Sequence, residues 1–414
     1  MVTPLLICGA ECGIAAAGTA PPAGTIRHWS NVFGTAPTVV TSGPSPMRST
    51  RCYRFNTANA TSGLTHTYAS AIASPATTVA RFYAYFTTFS AGNNHSLWST
   101  GNGLGAYFDV GTSSVFAGGG AVTLGATGVA ITTGQWYRID VKCVAGATRT
   151  VDVQVDGVAC GQFTSSGALS ETTCSLGTGS LVTADWYADD YIVSSTGADY
   201  PIGAGKVVGL YPNADGGHNF NLAGDFIYEA AGGNVATSAT DTWTHLQNPL
   251  STTIGNFMNA AAPATSEYLC WTLDNLPADV LTINGVAAVG TFHAASTTAC
   301  AHDLLFVDDS ATSGTTVVNE LALLGSWGAG VFGTGVDLSE TTIVVPYKVG
   351  ATGASTGAWT ITNVNDLAAI FGGTDVNPDA YCDGVCLEVD YVPATFLAHP
   401  PLVVLQAVSR SVVR

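Results

Sequence analysis

The residues best placed to do chemistry are Glu388 and Asp390, two carboxylates separated by one valine near the C-terminal end of the chain. In an extended strand, positions i and i+2 share a face. Two carboxylates on one face are the equipment of a glycoside hydrolase, with a nucleophile and a general acid roughly 5 Å apart in the retaining case. Asp189 and Asp190 offer hard oxygen ligands of the kind calcium takes, yet neighbouring strand residues point to opposite faces. A solvated strand end is therefore expected there, with a structural calcium as the alternative. Cys382 and Cys386, with His293 and His302, carry donors suited to zinc. Their Asp383-Gly384 spacer reads instead as a tight turn whose flanking thiols pair or stay free. His302, Asp303, Asp308 and Asp309 form a further acidic group, read as a turn. Trp98, Tyr107 and Trp136 are the aromatic residues put forward for stacking on sugars. No phosphate-binding loop, dinucleotide fingerprint or nucleophile elbow accompanies them. The expectation is that no residue is catalytic, no cofactor is required and no metal is held.

The elements that must position these groups are strands. The chain has 414 residues, 47 % of them hydrophobic and only 10 % charged, against roughly 25 % charged in an average soluble protein. Lys142, Lys206 and Lys348 are the only lysines, and without such residues long solvated helices are hard to build. Short runs rich in aromatic and β-branched residues alternate with Gly/Ser/Asn clusters, the pattern of an all-β sandwich. Thr77 to Phe86 is the clearest run. Val151, Val153 and Val155 alternate with Asp152 and Gln154, as in a half-buried antiparallel strand. One short helix is expected near 363–371, capped by Thr362 or Asn363 and ended by Gly372-Gly373.

The formal charge of −17 arises from only 12 basic residues, and such a surface repels phosphate backbones, so nucleic acid is not an expected partner. No run reaches the roughly 20 apolar residues of a membrane-spanning helix. At the N-terminus no basic residue precedes the apolar run and Glu11 interrupts it, unlike a signal peptide. Ten cysteines over this length are too sparse for a disulfide scaffold.

Gly134-Gln-Trp-Tyr-Arg-Ile-Asp-Val141, then Val151-Asp-Val-Gln-Val-Asp-Gly157, then a closing strand bearing Asp189-Asp190, resembles the laminin-G/concanavalin-A-like jelly roll. From this the expected organisation is an apolar N-terminal arm (1–26), a jelly roll (27–197) and a linker (198–205). A second antiparallel β-sandwich (206–395) and an apolar C-terminal arm (396–414) follow, the two sandwiches being independent and both arms docking on neighbours. Leu210-Tyr-Pro-Asn-Ala-Asp-Gly216, Trp359-Thr360 and Leu387-Glu-Val-Asp-Tyr391, after such a domain, are similar to structural proteins of tailed bacteriophages, minor tail or virion proteins. That resemblance implies a non-catalytic virion component, assembled in a host cytoplasm, with copies of itself and other virion proteins as partners. Host cell-surface polysaccharide would be a further ligand. Head decoration and a secreted carbohydrate-binding or adhesion protein are the alternatives. A glycoside hydrolase comes last, because Glu388-Val-Asp390 is similar to laminarinase-type enzymes but lacks their third carboxylate. The pair is then read as the solvent-facing side of an edge strand.

Overall fold

The computed structural model describes residues 2, 4–16, 26–44, 48–120, 123–167, 169–216, 226–230, 233–236, 242–251, 257–260, 267–294, 302–308, 319–322, 346–350, 358–373 and 380–394. The expected C-terminal arm and Asp309 lie outside these residues. The protein is all β, with antiparallel strand pairing throughout the described residues. The one α-helix among the described residues, Ile361–Asn365, begins two residues earlier than expected, with the Thr360 hydroxyl accepting from the Asn363 amide at 3.1 Å. Leu367 to Phe371, expected to be helical, lie instead in the strand Leu367–Gly373, where Leu367, Ala369 and Phe371 join the core between two sheets.

The jelly roll is built on three long strands, Cys52–Ile72, Ala76–Gly92 and Glu171–Ser194. The last changes partners along its length. Cys174 to Leu176 pairs with Trp98 to Thr100, while Val182 to Ser194 pairs with Gly92 to Val79. Register shifts after Thr178, Thr183 and Asp189 bend it, as bulges do, and the sheet folds over a shared interior. Phe86 and Phe108, on strands separated by two others in the sheet order, then stack at 5.4 Å. Trp186 lies between Phe55 (4.5 Å) and Phe86 (5.8 Å).

Two further sheets complete the molecule. A central sheet contains Lys206–Leu210, Val280–Ala294, Pro346–Gly350 and Ala380–Pro393; an outer sheet contains Glu267–Leu273, His302–Asp308 and Leu367–Gly373. Trp271, Phe306 and Phe371 of the outer sheet meet Val286, Leu387 and Val389 of the central one. The other face of the central sheet, with Ala287, Val289, Cys386 and Tyr347, belongs to the same core as the jelly roll. The central sheet is thus covered on both faces.

This arrangement corrects two expectations. The described part of residues 1–26 does not form a free arm: Pro4–Cys8 is a strand paired with Tyr191 to Ser194, and Leu6, Ile7 and Cys8 are fully buried. Gly9 and Gly285 allow the close approach. A Cβ at Gly9 would stand 2.7 Å from the Val207 Cβ, and one at Gly285 would stand 2.8 Å from the Pro4 side chain. Nor are the halves independent, since one apolar core runs from Leu6 through Val207 to Cys386. The 198–205 linker is tied down, with the Gly203 amide donating to Asp140 (3.0 Å) and Arg48 donating to the Gly205 carbonyl (3.0 Å).

Inside the jelly roll, His95 is wholly buried against Phe108 at 5.4 Å. Burial pushes its imidazole down to about 4, whereas the unfolded chain protonates near 6.5. Its contribution to stability is therefore present above about pH 6.5 and is lost as pH falls toward 4. Urea midpoints of the parent and of His95→Gln, measured across that range, should converge on acidification; parallel profiles would refute this.

Candidate functional site

Alternation in Ala76–Gly92 separates two faces. Ala80, Phe82, Ala84 and Phe86 enter the core, while Arg81, Tyr83 and Tyr85 point the other way. On that second face, register places Tyr85 opposite Trp136 on one side and Tyr187 on the other, with Tyr187 opposite Arg54. The result is a row, Arg54–Tyr187–Tyr85–Trp136, crossing four adjacent strands, roughly 14 Å at the usual strand spacing. Neighbouring rings meet edge to face, Tyr85 to Trp136 at 5.5 Å and Tyr85 to Tyr187 at 6.2 Å. The Arg54 guanidinium sits 5.6 Å from the Tyr187 ring centre and grips Asp185 through two bonds of 2.9 and 3.0 Å. Arg138 binds Asp140 at 2.7 Å beside the row. Tyr85, Arg54, Asp185 and Arg138 are partly exposed, and Trp136 and Tyr187 back them from beneath. A half-exposed ring such as that of Tyr85, flanked by fixed donors and acceptors, can pack on an apolar face of a ligand whose rim those groups hydrogen-bond.

Of the aromatic residues put forward from sequence, only Trp136 joins this row, as support rather than as a contact. Trp98 is fully buried, with its indole N–H on the Tyr191 hydroxyl, and the Tyr107 hydroxyl donates to the Gly103 carbonyl at 2.6 Å. Both are interior residues and are withdrawn as sugar contacts. Arg54, Tyr85 and Tyr187 were missed; the signal available was the aromatic character of both faces of the Thr77 to Phe86 run.

The row leads inward, through Tyr83, to a buried seam of charge between the jelly roll and the central sheet. Arg48 lies over the Tyr83 ring at 3.2 Å and bonds Asp190 at 2.6 Å. Fully buried Arg81 donates to the Asp190 carbonyl (2.9 and 3.2 Å) and forms an ion pair with Asp390, which also accepts from Asn284 at 2.6 Å. Burial disfavours the Arg81 cation, but the Asp390 carboxylate more than offsets this and holds the guanidinium above its ordinary range.

Several sequence expectations are corrected by this seam. Glu388 and Asp390 are not on the solvent side of an edge strand, because Ala380–Pro393 has neighbours on both sides and both carboxylates are fully buried. Asp189 and Asp190 are not a solvated strand end either. A positive φ of 49° at Asp190 breaks the alternation, and both are buried. Asp190 accepts from Arg48 and the Val207 amide (2.7 Å), and Asp189 from Ser49 (2.6 Å) and the Asp190 amide (2.7 Å). Each of the four oxygens of the pair thus accepts a hydrogen bond from the protein itself. Burial, and next the neighbouring Asp190 charge, push the Asp189 carboxyl well above its usual range. Cys382 and Cys386 do not flank a turn; they lie in one strand, where a register shift sends them into different cores as free thiols. His293 and His302 belong to different sheets, and His302–Asp308 is a strand rather than a turn.

No family model and no curated protein matches the chain. Solved structures do. An endo-β-1,4-glucuronan lyase from the fungus Trichoderma reesei is 13 % identical, over 44 % of this chain and 95 % of that one, with a TM-score of 0.29. Cellulose induced protein, Cip1, is 13 % identical over 40 % and 88 % (TM-score 0.31). Alginate lyase Aly36B is 10 % identical over 44 % and 98 % (TM-score 0.26). At these values the likeness concerns β architecture alone. Two of these three bear the names of polysaccharide lyases, and the expectation of a non-catalytic chain is withdrawn.

Proposed function

We propose that the protein is a structural component of a tailed-phage particle, tail-associated, whose jelly roll contacts cell-surface polysaccharide through the Arg54–Tyr187–Tyr85–Trp136 row. The row is the observation that carries the reading. It offers ring surface for the apolar faces of sugars and, at Arg54–Asp185 and Arg138–Asp140, fixed polar groups for their hydroxyls. The paired charges cancel, which suits a hydroxyl-rich ligand. Incorporation into a particle is supported by where the few charges go. Glu11, Arg81, Asp140, Glu171, Asp189, Asp190, Asp383, Glu388 and Asp390 are all buried. The outer surface is correspondingly poor in charge, and little repulsion opposes close packing against copies or partners.

Affinity electrophoresis through gels containing bacterial surface polysaccharides tests the contact. Tyr85→Ala should weaken retardation about tenfold, near the 1.4 kcal/mol of a lost ring contact. Leu281→Ala, at an exposed position of the central sheet, should leave it unchanged. Equal mobility of the two variants on every polysaccharide that retards the parent would remove the row from the reading. Labelling purified particles with antibody to this chain tests the placement; particles that carry none of it would overturn it.

A further inference from the structure

At the inner end of the seam, three donors of different elements converge. Cys8 comes from the N-terminal strand, His28 from the segment after Ile26–Arg27, and Glu388 from the middle of the central sheet. All three are fully buried, and a sulfur, a ring nitrogen and a carboxylate oxygen lie within 4.8 Å of one another. The Glu388 Oε1 accepts from the amides of Gly9 (3.3 Å) and Cys12 (3.2 Å), which turns Oε2 toward the imidazole. His28 Nε2 and Glu388 Oε2 then face each other at 3.7 Å, and neither has a hydrogen-bond partner among the described residues. No lysine or arginine pairs with Glu388 among those residues.

A buried carboxylate without a hydrogen-bonded counter-charge is costly, and so is a buried ring nitrogen without a partner. One cation between them relieves both. A tetrahedral zinc ion about 2.0–2.1 Å from nitrogen and oxygen would hold those atoms roughly 3.4 Å apart, with a thiolate at about 2.3 Å. The gap of 3.7 Å is within a few tenths of that. The surroundings are those of ligands already oriented. His28 Nδ1 meets the Cys12 sulfur at 3.9 Å, and the two backbone amides fix the second carboxylate oxygen. Thiolate and imidazole donors favour zinc-class ions over calcium or magnesium. One divalent ion with one thiolate and one carboxylate is electrically neutral, as a buried site requires.

We propose that Cys8, His28 and Glu388 bind a zinc-class divalent ion that fastens the N-terminal strand to the central sheet. The assignment is independent of the polysaccharide reading. The full chain, produced with zinc in the medium and dialysed, is expected to retain close to one ion per chain by plasma mass spectrometry. Produced with cobalt instead, it should show a thiolate-to-cobalt charge-transfer band. The band should vanish in Cys8→Ser and persist in Cys143→Ser, a buried cysteine of the jelly roll outside the cluster. A folded full chain holding far less than one ion and showing no band overturns the proposal, and that result needs no variant to fold. A band that survives Cys8→Ser overturns it equally.

Discussion

Replacing Arg81 by methionine is expected to lower the free energy of unfolding by about 3–5 kcal/mol, because it leaves a fully buried carboxylate without its counter-charge. Asn284 would still donate to Asp390, but an amide cannot neutralise it. The Asp190 carbonyl, which takes two bonds from the guanidinium, would lose them as well. The loss is large beside the total of roughly 5–15 kcal/mol that holds a domain folded. The pair is a coupled unit, so Arg81→Met combined with Asp390→Leu should recover much of the loss, as replacing a buried ion pair by apolar side chains often does. Guanidinium unfolding of the parent, both single variants and the double variant measures this. A single-variant cost under about 1 kcal/mol, or a double variant that costs the sum of the singles, would show that the seam does not bind the layers together.

Removing residues 1–14 should have a greater effect still. Leu6, Ile7, Cys8, Ala10, Cys12 and Ile14 are buried in the core shared by the jelly roll and the central sheet. Fully burying a large aliphatic side chain is worth about 1.5–3 kcal/mol, so the segment as a whole rivals the net stability of a typical domain. Its loss also strips Glu388 of two amide donors and Tyr347 of its bonds to the Ile7 backbone (2.7 and 3.1 Å). The truncated chain is expected to lack a cooperative unfolding transition by circular dichroism. A truncated form that unfolds at the parent's midpoint would restore the view of this segment as a dispensable arm. Leu6→Ala, costing about 2–5 kcal/mol, is the milder version of the same experiment.

Local patterns in the sequence were legible, and their partners were not. The runs around Thr77 to Phe86, Trp136 to Cys143 and Thr150 to Val155 are strands because alternation is a property of the strand itself. Glu388-Val-Asp390 shows the limit. Charge alternating with apolar residues reads as one solvated face, and here the charged face is covered by Arg81, more than 300 residues away in sequence. Periodicity distinguishes two faces; it does not say what lies against either. The helix was placed late for a related reason: Leu367, Ala369 and Phe371 have as good a strand period as any run in the chain, and packing against Trp271 (6.4 Å from Phe371) fixes them as a strand. Asp190 adopts a backbone conformation that sequence alone rarely flags for aspartate, and it turned a pair expected on opposite faces into one buried cluster. The aromatic row was half visible, since Trp136 was singled out, but Tyr85 and Tyr187 become its neighbours only through strand register.

The contact between Glu388 and the amides of Gly9 and Cys12 spans 379 and 376 residues. At about 5–20 residues per second, a ribosome takes on the order of tens of seconds to deliver the second partner after the first. Throughout that time the central sheet lacks the strand Ala380–Pro393, and Arg81 has no Asp390. Closure of so distant a pairing comes late and slowly. A chain released before Glu388 would keep its apolar leading segment and its isolated cation on display, a mark by which proteolysis can tell an unfinished copy from a finished one. The layered seam thus closes only once Ala380–Pro393 has been made.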